Sequence, residues 1–160
     1  MKQPLTIGFI GLGLIGGSIA KAIRYYYPDI RIIAHTRSQA TIDYALNEQI
    51  IDIACDQVDV RFSECDYIFL CAPVEANASY LKILKPLIQP DCILTDVGST
   101  KTDIHTHVAD LGLESQFIGG HPMAGSEKTG IANAKRHLLE NAYYIVTPTS
   151  KVPRESVEAY

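Results

Sequence analysis

Residues Thr6–Gly16 read TIGFIGLGLIG, and this stretch decides the fold class of the chain. Its first five residues form a short apolar run, which is typical of a strand buried on both faces of a sheet. The rest follows the pattern G-x-G-x-x-G, with glycines at Gly11, Gly13 and Gly16, and an apolar helical pattern over Leu14–Tyr26 overlaps its end. A glycine turn between a strand and a helix indicates a dinucleotide-binding loop.

Each glycine of the loop has a separate expected task. Gly11 makes the tight turn, Gly13 lets the backbone approach a pyrophosphate, and Gly16 allows close packing of helix on strand. Leu14 and Ile15 open the helix, where free N–H groups and the positive end of the helix dipole face the phosphates. The alternative interpretation is a glycine-rich turn that binds no ligand.

The rest of the chain alternates apolar runs with helical patterns. Strands are predicted at Leu5–Ile10, Ile30–Ala34, Tyr67–Ala72, Ile93–Val97, Gln116–Ile118 and Tyr143–Thr147. Helices are predicted at Leu14–Tyr26, Gln39–Gln49, Glu75–Leu87 and Thr102–Leu111. This alternation of strands and helices predicts an α/β fold with a doubly wound, mostly parallel sheet.

The chain has 160 residues, which suits one domain of ordinary size. We assign residues 1–150 to the dinucleotide-binding domain. Pro153 is suited to the first turn of a helix, and good helix formers continue to Tyr160. Residues 151–160 are therefore interpreted as the start of a linker helix toward a second domain, and the alternative is a frayed tail.

Composition narrows the range of partners and compartments. The net charge of −4 argues against nucleic acid, whose phosphates require a basic surface. No apolar run approaches the length that spans a bilayer, and the N-terminus lacks the features of a signal peptide, so we expect a cytoplasmic protein without membrane contact. The four cysteines show no metal-like spacing and are expected to be structural; no metal is predicted.

The residues after the second predicted strand bear on the choice of nucleotide. An acidic residue that holds the adenine ribose normally stands there, but this chain has Thr36, Arg37 and Ser38. Loss of the carboxylate removes repulsion against a 2′-phosphate, and the Arg37 guanidinium can pair with that phosphate. NADP is therefore favoured over NAD. The alternative is that Arg37 is a solvated surface residue and Ser38 caps the next helix.

The carboxyl ends of parallel strands are where ligands bind in open α/β sheets. We therefore expect further dinucleotide contacts at the ends of two more strands. They are Cys71, Ala72, Pro73, Val97 and Gly98.

Two segments at strand ends carry the most specific signal. They are Asp96–Lys101, DVGSTK, and Gly119–Gly130, GGHPMAGSEKTG. Together they resemble the prephenate/arogenate dehydrogenase family of tyrosine biosynthesis, and the resemblance extends from Leu5 to about Pro148. It implies NAD(P)-dependent oxidative decarboxylation of prephenate, or the equivalent reaction of arogenate. It also implies a homodimer once a helical second domain is present, and in this family that domain supplies a substrate-binding arginine.

The resemblance also implies roles for individual residues. The histidine matching His121 takes the proton of the substrate's ring hydroxyl, and the serine matching Ser99 helps to hold both groups. The glutamate matching Glu127 lies at the mouth of the site and contributes to substrate selection or gating, and we count it with His121 and Ser99 among the expected catalytic residues. The implied substrate contacts are Ser99, Lys101, His121, Gly125, Ser126 and Glu127. A histidine suits the task, because imidazole exchanges protons near neutral pH.

Each of these residues also has a plain structural interpretation. His121 stands before a proline and is compatible with a turn, Ser99 with the N-cap of a helix, and Lys101 with a solvated lysine in a first turn. Glu127 is compatible with an ordinary surface residue. His105 and His107 are predicted to be surface residues, because two positions apart on a helix they point to different faces.

Two other functions remain open from the sequence. One is a related β-hydroxyacid or imine-reducing dehydrogenase, in which the proton carrier lies in the later helices. The other is a non-catalytic module that senses the dinucleotide. The sequence His121-Pro122-Met123 argues against the first, and a sensing module has no use for His121 and Ser99 at the strand ends.

Overall fold

The computed structural model describes residues 5–160; Met1–Pro4, part of the proposed 1–150 domain, lie outside it. Strands β1 to β7 are Thr6–Ile10, Arg31–His35, Ile53–Cys55, Tyr67–Leu70, Ile93–Asp96, Phe117–Pro122 and Tyr144–Pro148. Helices α1 to α5 are Leu14–Tyr26, Gln39–Asn47, Val74–Leu84, Thr102–Asp110 and Arg154–Ala159. Short 3-10 turns occupy Val60–Glu64, Glu114–Gln116 and Ile131–Asn133.

All seven strands form one sheet in the order β3-β2-β1-β4-β5-β6-β7. The first six are parallel and only β7 runs antiparallel, beside β6. The order 3-2-1-4-5-6 is that of a doubly wound dinucleotide-binding fold, and its direction reverses between β1 and β4. The predicted fold class is confirmed, and the reversal leaves a crevice above the carboxyl ends of these two strands.

Apolar side chains on both faces of the sheet form the core. Phe9 and Ile32 belong to a cluster that includes residues of α1 and α2, whereas Leu94 and Phe117 pack with residues of α3 and α4. Strands covered on both faces must be apolar at nearly every position, which explains the continuous apolar runs of the sequence.

The predicted helices are all present, with ends that shift by up to three residues. Two strand predictions need correction. β3 was missed because three residues give too short an apolar run to stand out. β6 is longer than predicted and continues through Gly119–Pro122, because glycines and a proline hid its strand pattern.

The predicted cap of α2 is confirmed. The Ser38 hydroxyl accepts a hydrogen bond from the Thr41 backbone N–H at 3.3 Å. The structural interpretation of the cysteines also agrees with the fold: all four are free thiols, three buried and Cys71 partly buried. Burial raises the pKa of Cys92 to about 12, so this thiol stays protonated and unreactive.

The far edge of the sheet carries exposed apolar side chains. On and beside β7, Tyr143 is largely exposed and Ile145 and Val146 are partly exposed. Helix α5 begins after Pro153, as predicted, and ends beside Tyr160, whose ring packs against the sheet near Tyr67 and Phe69. No helix within residues 5–160 has the length and apolar character needed to cross a membrane.

Phe62 fills the space left by a glycine in β1. Its side chain is fully buried, and a Cβ added to Gly8 would lie 3.1 Å from its ring. We expect Phe62→Ala to lower the free energy of unfolding by about 3–5 kcal/mol, because it leaves a cavity under the central strand. Urea denaturation measures the change.

Val60→Ala is the matched control, since Val60 lies in the same 3-10 turn but is 69% exposed. It should change the free energy of unfolding by less than about 0.5 kcal/mol. Equal losses for both variants would contradict the assignment of Phe62 to the core.

Candidate active site

The glycine loop packs tightly against the end of β4. Gly11 has a φ of +94°, and a Cβ there would lie 2.8 Å from the backbone of Cys71 and Ala72. A Cβ on Gly16 would lie 2.5 Å from the Gly11 carbonyl oxygen. Both positions therefore exclude any side chain, in agreement with the tasks predicted for the first and third glycines.

Gly13 differs because nothing lies within 4 Å of the position that its Cβ would occupy. It is also the N-cap of α1, and no side chain caps this end of the helix. The first N–H groups of a helix have no acceptor within it, so here they face open space. An exposed row of N–H groups beside a glycine fits a phosphate of a dinucleotide.

The end of β2 supports this loop from the other side. The His35 carbonyl accepts a hydrogen bond from the Gly11 N–H at 2.8 Å. The buried His35 ring is held between the Cys55 carbonyl, 3.0 Å from Nδ1, and the Tyr80 hydroxyl, 3.2 Å from Nε2. Next along the chain, Thr36 is half-buried and Arg37 is exposed, and Arg37 makes no ion pair within the described chain.

A buried ion pair joins the ends of β5 and β6. The Lys101 ammonium donates to Asp96 Oδ2 at 2.6 Å, to the Gly98 carbonyl at 2.7 Å and to the Gly120 carbonyl at 2.5 Å. Asp96 also accepts from the N–H groups of Gly98 and Gly120. An ammonium has three protons, so Lys101 has none left for a substrate. Lys101 is neither the solvated lysine nor, in this geometry, the direct ligand that the sequence suggested.

His121 lies inside β6, opposite Ile145 of β7. The interpretation as a turn histidine is therefore wrong. Its Nδ1 is buried and has no hydrogen-bond partner among residues 5–160. A buried ring nitrogen without a partner is costly unless a ligand or another group pairs with it.

Ser99 is exposed in the loop after β5, and no hydrogen bond joins it to His121 within residues 5–160. It is not the N-cap of α4 either, because Lys101 occupies that position. The loop is fixed through Gly98 instead, whose N–H donates to Asp96 and whose carbonyl accepts from Lys101.

The remaining predicted residues lie around the same edge. Cys71, Ala72 and Pro73 follow β4, and Val97 follows β5. Gly125, Ser126 and Glu127 are exposed in the loop after β6, where the Ser126 hydroxyl accepts from the Lys128 N–H at 3.1 Å. All of these residues thus follow strands at the carboxyl edge of the sheet.

The sequence also left some residues unrecognised or misassigned. The sequence motif gave Asp96 no role of its own, yet its carboxylate organises the loop through Gly98, Lys101 and Gly120. His105 is not a surface residue, since its ring is half-buried and packs edge-on against Phe117 with centroids 5.4 Å apart. No group of three or more potential metal ligands occurs within residues 5–160.

Comparison with known proteins gives the chain its family. Residues 19–160 match the family model described as prephenate dehydrogenase, nucleotide-binding domain. The chain belongs to this family. It is 44% identical to prephenate dehydrogenase of Bacillus subtilis over 156 residues, which are 96% of this chain and 42% of that protein. The chain thus spans less than half the length of this relative.

Two solved structures share the fold closely. Synechocystis arogenate dehydrogenase is 36% identical, with a TM-score of 0.88 over 97% of this chain and 54% of that one. Prephenate dehydrogenase from A. aeolicus, in complex with hydroxyphenyl propionate and NAD+, is 29% identical with a TM-score of 0.89 and the same coverage.

Gly13 and Gly16 should respond differently to substitution. Gly13→Val should abolish dinucleotide binding and leave stability nearly unchanged, because the new side chain enters open space above the helix N-terminus. Gly16→Ala should instead lower the melting temperature, because its Cβ meets the Gly11 carbonyl. Calorimetric titration with NADP and NAD, together with thermal unfolding, measures both effects. Undiminished nucleotide affinity in Gly13→Val would rule out this loop as the binding site.

Proposed function

We propose that this chain is the nucleotide-binding domain of a prephenate or arogenate dehydrogenase. The observation that carries the proposal is the placement of His121, with its buried and unpartnered Nδ1, at the sheet edge that also carries the open Gly13 loop. Family membership, with relatives named for prephenate and arogenate, supports the same substrate class. Residues 1–150 form the domain, and residues 151–160 begin the link to a second domain.

The proposed reaction is an oxidative decarboxylation. When bound, the nicotinamide supplies the hydride acceptor for the hydrogen on the ring carbinol carbon. His121 takes the hydroxyl proton as the carbonyl forms, and the Ser99 hydroxyl binds the same substrate oxygen. The bond from the ring to its carboxylate then breaks and carbon dioxide leaves. The electron pair of the broken bond completes the aromatic ring. The phenolate oxygen formed in this way takes the proton back from His121, so proton and hydride are both accounted for and no metal is required.

Binding of the dinucleotide is assigned to the sheet edge. The N–H groups at Leu14 and Ile15 face the pyrophosphate, while the chain at Cys71–Pro73 and Val97–Gly98 lines the crevice toward the nicotinamide. Gly125, Ser126 and Glu127 border the substrate, with Glu127 at the mouth. Lys101 contributes by holding the two strand ends rather than by touching the substrate.

We further propose that NADP is preferred over NAD. A solved relative binds NAD+, but in this chain no carboxylate stands at position 36, and the exposed Arg37 lacks an ion-pair partner within residues 5–160. A free guanidinium is suited to a 2′-phosphate. The protein is proposed to act in the cytoplasm as a homodimer built through its second domain.

His121→Asn tests the proposed proton acceptor. In the protein expressed from the complete open reading frame, we expect turnover of prephenate to fall by about 10²–10⁴-fold, with dinucleotide affinity unchanged. The loss should fall on kcat more than on KM, because the proton moves only in the transition state. Wild-type rates should also decline at acidic pH through a group that must be deprotonated, and the variant should lose that dependence.

Ser99→Ala is the companion variant and should reproduce part of the loss. Full activity in His121→Asn would place the proton acceptor elsewhere and would favour a β-hydroxyacid dehydrogenase. A wild-type protein that binds nucleotide but oxidises neither prephenate nor arogenate would favour a sensing module.

Thr36→Asp tests the nucleotide preference. The new carboxylate should repel the 2′-phosphate and accept hydrogen bonds from the ribose hydroxyls, which shifts the ratio of NADP to NAD affinity by about 1–3 kcal/mol toward NAD. Fluorescence or calorimetric titration with both nucleotides gives the ratio. Wild-type protein that binds NAD ten times more tightly than NADP would refute the assignment of Thr36 and Arg37.

A further inference from the structure

A chain of three hydroxyl groups lies on the face of the sheet opposite to His121. Thr95 Oγ1 is 2.9 Å from the Tyr160 hydroxyl, which is 3.0 Å from the Tyr144 hydroxyl. Thr95 lies in β5, Tyr144 in β7, and Tyr160 directly follows α5. The chain therefore ties the C-terminal helix to two strands of the sheet.

The hydrogen bonds of this chain can all run in one direction. Thr95 Oγ1 also donates to the Asp96 backbone carbonyl at 3.4 Å. If Tyr144 donates to Tyr160 and Tyr160 donates to Thr95, every hydroxyl proton has an acceptor and the chain ends on the backbone of Asp96. Burial raises the pKa of both tyrosines, so the hydroxyls stay protonated at any working pH.

Tyr144 occupies the volume that a side chain at Gly120 would fill. A Cβ on Gly120 would lie 2.5 Å from the Tyr144 hydroxyl oxygen and 2.8 Å from its Cε1. Because Tyr144 pairs with Pro122 in the register, Gly120 is its diagonal neighbour across the two strands. The position of this ring therefore limits where the backbone of β6 can lie at Gly120.

His121 is the next residue of β6 and points to the other face. Side chains alternate along a strand, and the Gly119 side of β6 faces α4, since a Cβ there would lie 3.1 Å from His105 Nε2. His121 shares that side with Gly119. The Gly120 peptide is meanwhile held by Asp96 and Lys101. The N–H and carbonyl groups of Gly120 are thus held by the Asp96–Lys101 ion pair, and the position of its Cα is limited by the Tyr144 ring.

We propose that Tyr144 and Tyr160 are positioning residues for His121, and that α5 acts on the site through their hydroxyl groups. The kinetic test of this proposal rests on the function proposed above. Tyr160 fixes the hydroxyl of Tyr144, the Tyr144 ring fixes Gly120, and Gly120 sets the approach of the imidazole to its proton donor. Neither tyrosine touches the substrate.

Tyr144→Phe and Tyr160→Phe test the proposal in the protein from the complete open reading frame. Each variant keeps its ring and loses one hydrogen bond of the chain, so kcat with prephenate should fall about three- to tenfold. KM for prephenate and the NADP dissociation constant should stay unchanged. Tyr67→Phe is the matched control, because its ring packs 6.3 Å from that of Tyr160 while its hydroxyl lies outside the chain.

A second measurement does not depend on turnover. NMR spectra of protein with ¹⁵N-labelled histidine give this measurement. The ring signals of His121 are identified by their loss in His121→Asn. They should shift in Tyr144→Phe and Tyr160→Phe and stay in place in Tyr67→Phe. Wild-type kcat and unshifted signals in both chain variants would overturn the proposal, and so would equal effects in all three variants. A wild-type protein inactive on prephenate would refute the proposed function, while the ring signals would still decide the positioning role.

Discussion

The Lys101 ammonium is the contact on which the geometry of the site depends. It donates to a carboxylate and to two carbonyl groups, and these belong to β5, to the loop after it and to β6. The Asp96 side chain is only 3% exposed, so its charge requires a partner. Loss of one member of such a buried pair costs about 3–5 kcal/mol, because the other charge remains without compensation. The ends of the two strands are thereby fixed relative to one another.

The same contact explains why residues distant in sequence act together. The loop that carries Ser99 is anchored through Gly98, and the strand that carries His121 is anchored through Gly120. One ammonium sets the separation of these two backbones, so a change at Lys101 alters both at once. The Tyr144 ring restrains the same glycine from the other face of the sheet. The site is therefore rigid where chemistry is proposed and open where ligands enter.

The fold was largely predictable because buried parallel strands and amphipathic helices leave strong periodic patterns. The glycine loop and the strand-end segments could be found for the same reason, since each follows a predicted strand. β3 and the end of β6 could not, because a three-residue strand and a Gly-Gly-His-Pro sequence carry little periodicity. Sequence also could not assign Lys101, whose role depends on acceptors 3 to 19 positions away that only the folded sheet brings together.

The opening above Gly13 has a consequence for how this family diversifies. The loop is shaped by main-chain atoms at Gly11, Gly16 and the end of β4, so few substitutions there are tolerated. Residues 36–38 instead stand on a separate segment after β2, where Ser38 caps α2 and Arg37 is exposed without an ion pair in the described chain. In the assignment proposed above, the residues that hold the nucleotide and the residues that choose between nucleotides thus lie on different pieces of the chain. Under that assignment, descendants of one ancestor exchange coenzymes through one or two substitutions after β2 while the glycine loop stays intact.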